Sequence, residues 1–274
     1  MTKKSNINLL SNEILSIQAS LNGLSFCILN TTESNLVFFK EIRFKAQKNP
    51  IEVEKILFNE FESNLFLQKE FKKVNLIHHN NICTFVPVNL FNSSKSAEYL
   101  KFNNKIFESD FIASDTISNK EIISVYIPFV NLNNSFFDRF GSFEYQHSST
   151  LFLNKILERS TNFTNTLFCN ITLSSFELLY IKNGSLNLFN SFEFNTKEDF
   201  MYYLLFSIEQ LGLDTNSIEL KLFGDIKLED ELYNLIYTYI RNVSFGENST
   251  TINIEDTYKK SINSHNYFSL LNSF

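Results

Sequence analysis

The sequence has no tryptophan, and no apolar run approaches the ~18 residues a helix needs to cross a bilayer. A membrane-spanning helix is therefore excluded. Only three cysteines occur: Cys27, Cys83 and Cys169. Their number is odd, they lie far apart, and none belongs to a C-x-x-C pair. That argues against a disulfide framework and for reduced, buried thiols. Arginine is confined to Arg43, Arg139, Arg159 and Arg241, and the formal net charge is -6. Nucleic-acid readers concentrate basic residues on one face. Here they are scattered in an acidic chain, so neither nucleic acid nor an anionic membrane surface is an expected partner. Met1 to Asn12 carries Lys3 and Lys4 but lacks an apolar stretch and a small-residue cleavage site. No secretory signal is expected, and the cytoplasm is the default location.

What is present is enough for a sizeable core. The chain has 274 residues, 43% of them apolar. At about 150 residues per domain this means two compact units or one large one. Composition excludes a disordered, collagenous or coiled-coil chain. The abundance of Asn, Lys, Phe and Ile resembles AT-rich coding, a genomic bias without functional content. The 31 phenylalanines include adjacent pairs such as Phe38-Phe39 and Phe136-Phe137. One of each pair can face outward and mark a partner surface, or Phe can simply replace Leu in the core.

The pattern along the chain reads as two similar halves. Ile14–Ser20 and Leu24–Leu29 are strands joined at Asn22-Gly23, a pair suited to a type I′ turn. Leu36–Phe44 completes a meander. Asn49 caps a helix that begins at Pro50 and carries Val53, Leu57, Phe61 and Leu65 on one stripe. Lys73–His78 is a strand. An extended piece with a short helix (84–104), a strand over Glu121–Val130, a helix over Leu132–Phe140, a strand over Phe143–His147 and a helix over Ser148–Arg159 follow. The second half has strands at Leu167–Leu173, Phe176–Lys182 and Leu186–Phe194, with Asn183-Gly184 as the hairpin. Thr196 and Asp199 form a capping box for a helix carrying Phe200, Leu204, Ile208 and Leu211, which Gly212 ends. Ile218–Phe223 is a strand, and Glu229–Val243 a helix. The apolar residues from His265 to Phe274 predict a docked end.

Two β-β-β-α-β units about 150 residues apart make the fold class α/β, and their order resembles the duplicated actin-like ATPase (ribonuclease H-like) fold. The segments Ser16–Phe26, Phe85-Val86-Pro87 with Leu90-Phe91, Leu222–Asp225 and His265–Leu271 are similar to an uncharacterised bacterial family, the Domain of Unknown Function 3822 family. The resemblance implies two actin-like lobes, residues 1–160 and 161–274. The family brings no established activity, so the resemblance implies fold rather than function.

Working actin-like ATPases carry a D-x-G pattern at the first hairpin of each half, where the glycine lets backbone approach phosphate and the acid helps hold magnesium. Gln18–Ser25 has a glycine and no acid. Asn170–Phe176 has neither, and no Asp in the chain has Gly two positions on. Charge neutralisation of a transferring phosphate needs such groups. The expectation is a pseudo-ATPase without catalytic residues, cofactor or metal, acting as a scaffold or adaptor for a protein partner. The alternative is a divergent nucleotide-binding ATPase or kinase using the inter-lobe cleft, with displaced acids such as Asp225 and Glu229. Candidate cofactor-binding residues are Asn22, Gly23, Ser25, Gly224 and Asp225, each of which also suits an ordinary turn or salt bridge.

Other chemistry finds little support. P-loop, dinucleotide, zincin and nucleophile-elbow motifs are absent. His78 and His79 are strand neighbours that point to opposite faces. His147 precedes Ser148-Ser149-Thr150, whose hydroxyls suit helix capping better than a Ser–His pair, and Cys83 near the histidines has no evident orienting acid. Glu229-Asp230-Glu231 complements a helix dipole.

Overall fold

The computed structural model describes residues 11–117, 122–159, 163–248 and 252–274. In chain order the first half comprises β1 (Glu13–Ser20), β2 (Gly23–Asn30), β3 (Asn35–Arg43), α1 (Pro50–Ser63), β4 (Lys73–His78), β5 (Cys83–Pro87), α2 (Ser96–Leu100), β6 (Ala113–Thr116), β7 (Ile122–Tyr126), α3 (Val130–Phe140), β8 (Glu144–His147) and α4 (Ser148–Glu158). The second comprises β9 (Asn165–Ile171), β10 (Ser175–Lys182), β11 (Ser185–Glu193), α5 (Lys197–Gln210), β12 (Glu219–Gly224), α6 (Glu231–Tyr239), β13 (Asn242–Phe245), α7 (Asp256–Lys259) and α8 (Phe268–Leu271).

The duplication is plain in the sheets. The first has the order β3-β2-β1-β4-β8 and the second β11-β10-β9-β12-β13. In both, the first three strands form an antiparallel meander and the last two run parallel to its first strand. β5, β7 and β6 form a small third sheet inserted between β4 and β8.

Local chemistry explains the main elements. Asn49 Oδ1 accepts from the Glu52 N–H while Glu52 returns to the Asn49 N–H, a full capping box before Pro50. Thr196 and Asp199 do the same for α5. Val53, Leu57 and Phe61 of α1 close over Leu15, Ile17 and Phe26 of the first sheet, and Phe200, Leu204 and Ile208 of α5 close over Leu167, Phe176 and Leu178 of the second.

Two local expectations are corrected. Ser20 pairs with Gly23, so Leu21 and Asn22 are the central residues of the first turn, and neither has positive φ. The turn is not type I′; Ser20 holds it by accepting from the Asn22 N–H and donating to Gly23 O. At the second hairpin Asn183 (φ 50°) and Gly184 (φ 75°) do supply the type I′ conformation. The helix expected over Glu229–Val243 stops at Tyr239, and Asn242–Phe245 is β13, pairing with β12. β6 lies in a stretch without strand signals.

The sheets exchange covering elements. Phe152, Leu153 and Ile156 of α4 pack on Phe168, Leu179 and Ile181 of the second sheet. Ile262, Leu270 and Leu271, at the other end of the chain, pack on Cys27, Leu36 and Ile77 of the first. The aromatic pairs divide: Phe136 is buried and Phe137 exposed, whereas Phe38 is buried and Phe39 is covered by Tyr258 and Tyr267.

Candidate functional site

A cleft of about 420 Å³ lies between the two main sheets, and Asn22, Gly23, Ser25, Gly224 and Asp225 all line it. The turn after β1 and the turn after β9 form its opposing lips. They touch directly, with Asn22 Nδ2 donating to Ser174 Oγ at 3.2 Å.

The two glycines are required by crowding. A Cβ on Gly23 would meet Ile42 O at 2.5 Å, although its φ is ordinary. One on Gly224 (φ +85°) would meet Ile171 O at 2.0 Å. In each case the close neighbour is the protein's own backbone. The nearby donors are also engaged: the Gly224 N–H donates to His265 O, the Asp225 N–H to Ile171 O, and the Asn22 N–H to Ser20 Oγ.

Across the mouth, Arg43 donates to both oxygens of Asp225, at 2.7 and 3.1 Å, and its Nε lies 3.0 Å from Glu41. The two carboxylates hold the guanidinium pKa above its usual value. Sequence reasoning identified Asp225 but not its partner, because 182 residues separate the pair.

Behind the cleft, the first turn of α4 is a hub. Ser148 Oγ lies 2.7 Å from Nδ1 of His79, the residue that follows β4. Ser149 Oγ donates to the buried Glu177 carboxylate of β10, which also accepts from Asn170 Nδ2 at 3.0 Å. Thr150 Oγ1 lies 2.7 Å from Ser124 Oγ of the small sheet. His147 caps the helix, its Nδ1 accepting from the Ser149 N–H. The Ser–His contact is thus made by His79 rather than His147, and Ser148 is 1% exposed. Glu177, one residue beyond the segment judged free of acids, is the buried carboxylate that sequence reasoning missed.

His78 points the other way and is fully buried. It accepts from the Phe129 N–H at Nδ1, so its Nε2–H donates to Asn133 Oδ1. Burial lowers its pKa to about 4. Burial also raises the Cys83 thiol to about 12, far from the range of a reactive thiolate. All three cysteines are free and buried. Among the described residues, no group of three or more His, Cys, Asp or Glu side chains forms a metal site. Asp230 caps α6 by accepting from the Tyr233 N–H.

Two meander-first sheets facing across such a cleft define the actin-like ATPase fold. Solved structures agree. A protein from Bacteroides thetaiotaomicron VPI-5482 with an actin-like ATPase fold and unknown function superposes with a TM-score of 0.79, at 20% identity over 98% of each chain. A PilM-PilN type IV pilus biogenesis complex matches with a TM-score of 0.65, at 9% identity over 94% of this chain and 96% of that one. The chain itself belongs to the protein family of unknown function DUF3822, whose model matches residues 2–243. No curated protein matches it by sequence.

Proposed function

We propose that this protein has kept the two-lobed actin-like architecture, has lost ATPase activity, and works in the cytoplasm as a scaffold or adaptor for a protein partner. One observation carries the reading. The positions that would cradle phosphate are engaged within the protein: the Asn22, Gly224 and Asp225 N–H groups all have internal acceptors, and Arg43 holds Asp225. Phosphate loops work by presenting free backbone donors and a carboxylate-held metal. The likeness to the PilM-PilN complex, a fold that works through a protein contact in type IV pilus biogenesis, supports the binding half of the proposal as analogy.

The test is calorimetry with ATP and magnesium on the full chain. No saturable heat is expected. Micromolar binding that disappears in Asp225→Ala would instead establish the divergent nucleotide-dependent ATPase or kinase reading.

A further inference from the structure

Behind the cleft, a second recess of about 260 Å³ opens between the small sheet and the second sheet. Its sides are two strand edges: among the described residues β5 pairs only with β7, and β11 only with β10. They converge where Phe85 meets Phe189, with ring centroids 4.5 Å apart. Asn81, Asn104 and Glu193 line both the recess and the cleft, so the two form one continuous passage.

Apart from Cys83 and Phe189, the lining of the recess is amide and hydroxyl, and Glu193 is its one carboxylate. Asn81 Nδ2 donates to one oxygen of that carboxylate at 2.8 Å, and no cation pairs with it among the described residues. Ser191 Oγ, also on the wall, is buried without a hydrogen-bond partner. The cleft adds Glu41 and Asp225, which share the single guanidinium of Arg43. Three carboxylates against one cation give the passage a negative field, which repels polyphosphate and draws a cation inward.

We infer that the recess receives a lysine or arginine side chain from an extended segment of a protein partner; this rests on the protein-binding reading above. A long cationic side chain suits the site because its stem can lie along Phe189 while its donors meet Glu193 and the amide oxygens of the wall. Apolar neighbours of that side chain have places to rest. Leu173, on the cleft rim, is 54% exposed, and Phe102, immediately before the recess residues Asn103 and Asn104, is 92% exposed.

The test uses the full chain and a library of capped, fluorescein-labelled nonapeptides with small and apolar flanks and Arg, Gln or Glu at the centre, read by anisotropy. The arginine set is expected to bind at least tenfold tighter than the glutamine set and to lose at least tenfold in Glu193→Gln. Phe102→Ser should weaken peptide binding about threefold. Both positions are exposed, and unchanged melting will show that the variants fold. Equal binding of the three sets, an unaffected Glu193→Gln, or arginine amide binding as tightly as the peptides would each overturn the inference. Crosslinking in cells separates the two levels. A partner held equally by wild type and Glu193→Gln sinks the recess and leaves the binding reading standing, whereas the absence of any crosslinked partner with wild type sinks the binding reading itself.

Discussion

Arg43 and Asp225, 182 residues apart in sequence, join the two lobes by a two-point ion pair across the mouth of the cleft. Asn22 with Ser174 makes a second bridge between the lips. These two contacts bridge the mouth of the cleft. Widening the mouth means breaking these contacts.

The pair is partly solvent-exposed, with the two side chains 46% and 29% accessible. Exposed pairs contribute ~1 kcal/mol or less and weaken with salt. Arg43→Ala should therefore lower the melting temperature only slightly. Its larger effect should be on lobe separation. We expect a greater radius of gyration by small-angle scattering, reproduced in the wild type at high ionic strength. An unchanged radius in the variant would show that the remaining contacts, the α4 hub among them, hold the lobes together.

Acid should destabilise the protein well before carboxylate titration dominates. Burial lowers the pKa of His78, His79 and His147 in the folded state. The unfolded chain therefore takes up protons first as pH falls through about 6.5, and stability falls with it. For His78 the loss continues to about pH 4, where the folded form also protonates. By pH 5 this linkage removes roughly 2 kcal/mol for one fully buried imidazole. Urea midpoints measured from pH 7.5 to 5 should fall steeply, and His78→Gln should flatten the slope.

The meanders, the two helix N-caps and the second hairpin were legible because each is written in neighbouring residues: Asn49 with Pro50, Thr196 with Asp199, Asn183 with Gly184. What escaped depends on distance. Nothing near Arg43 announces Asp225, and nothing near Ser149 announces Glu177. The start of β13, Asn242 and Val243, was read as helix because Ile236, Ile240 and Val243 keep helical spacing across the break at Ile240, and only pairing with β12 makes Asn242–Phe245 extended. The Asn22-Gly23 turn was misread because the glycine serves a close approach by Ile42 O, a long-range demand that looks like a local one.

The cleft glycines should therefore differ in sensitivity. Gly224→Ala combines positive φ with a Cβ 2.0 Å from backbone, whereas Gly23→Ala meets only the 2.5 Å contact. Gly212 (φ +64°) has open space around its Cβ, so alanine there carries only the left-handed strain of about 1–2 kcal/mol. Denaturation should rank Gly224→Ala as the most damaging of the three. If Gly224→Ala matched Gly212→Ala, the close approach would carry no energetic weight.

The hub at the start of α4 makes the sharpest prediction. Ser149 and Asn170 are the hydrogen-bond donors to the buried Glu177. Ser149→Ala removes one and leaves a desolvated carboxylate oxygen, a change worth about 1–3 kcal/mol. Adding Glu177→Gln removes the charge that made the loss costly, so the double variant should be more stable than the sum of the single effects predicts. Thr150→Val, which affects the contact to the small sheet only, should be additive with both. A full cycle by chemical denaturation would check this. Strict additivity of Ser149→Ala and Glu177→Gln would mean that the α4 turn and β10 are joined by packing alone, and the hub would lose its role in holding the second sheet.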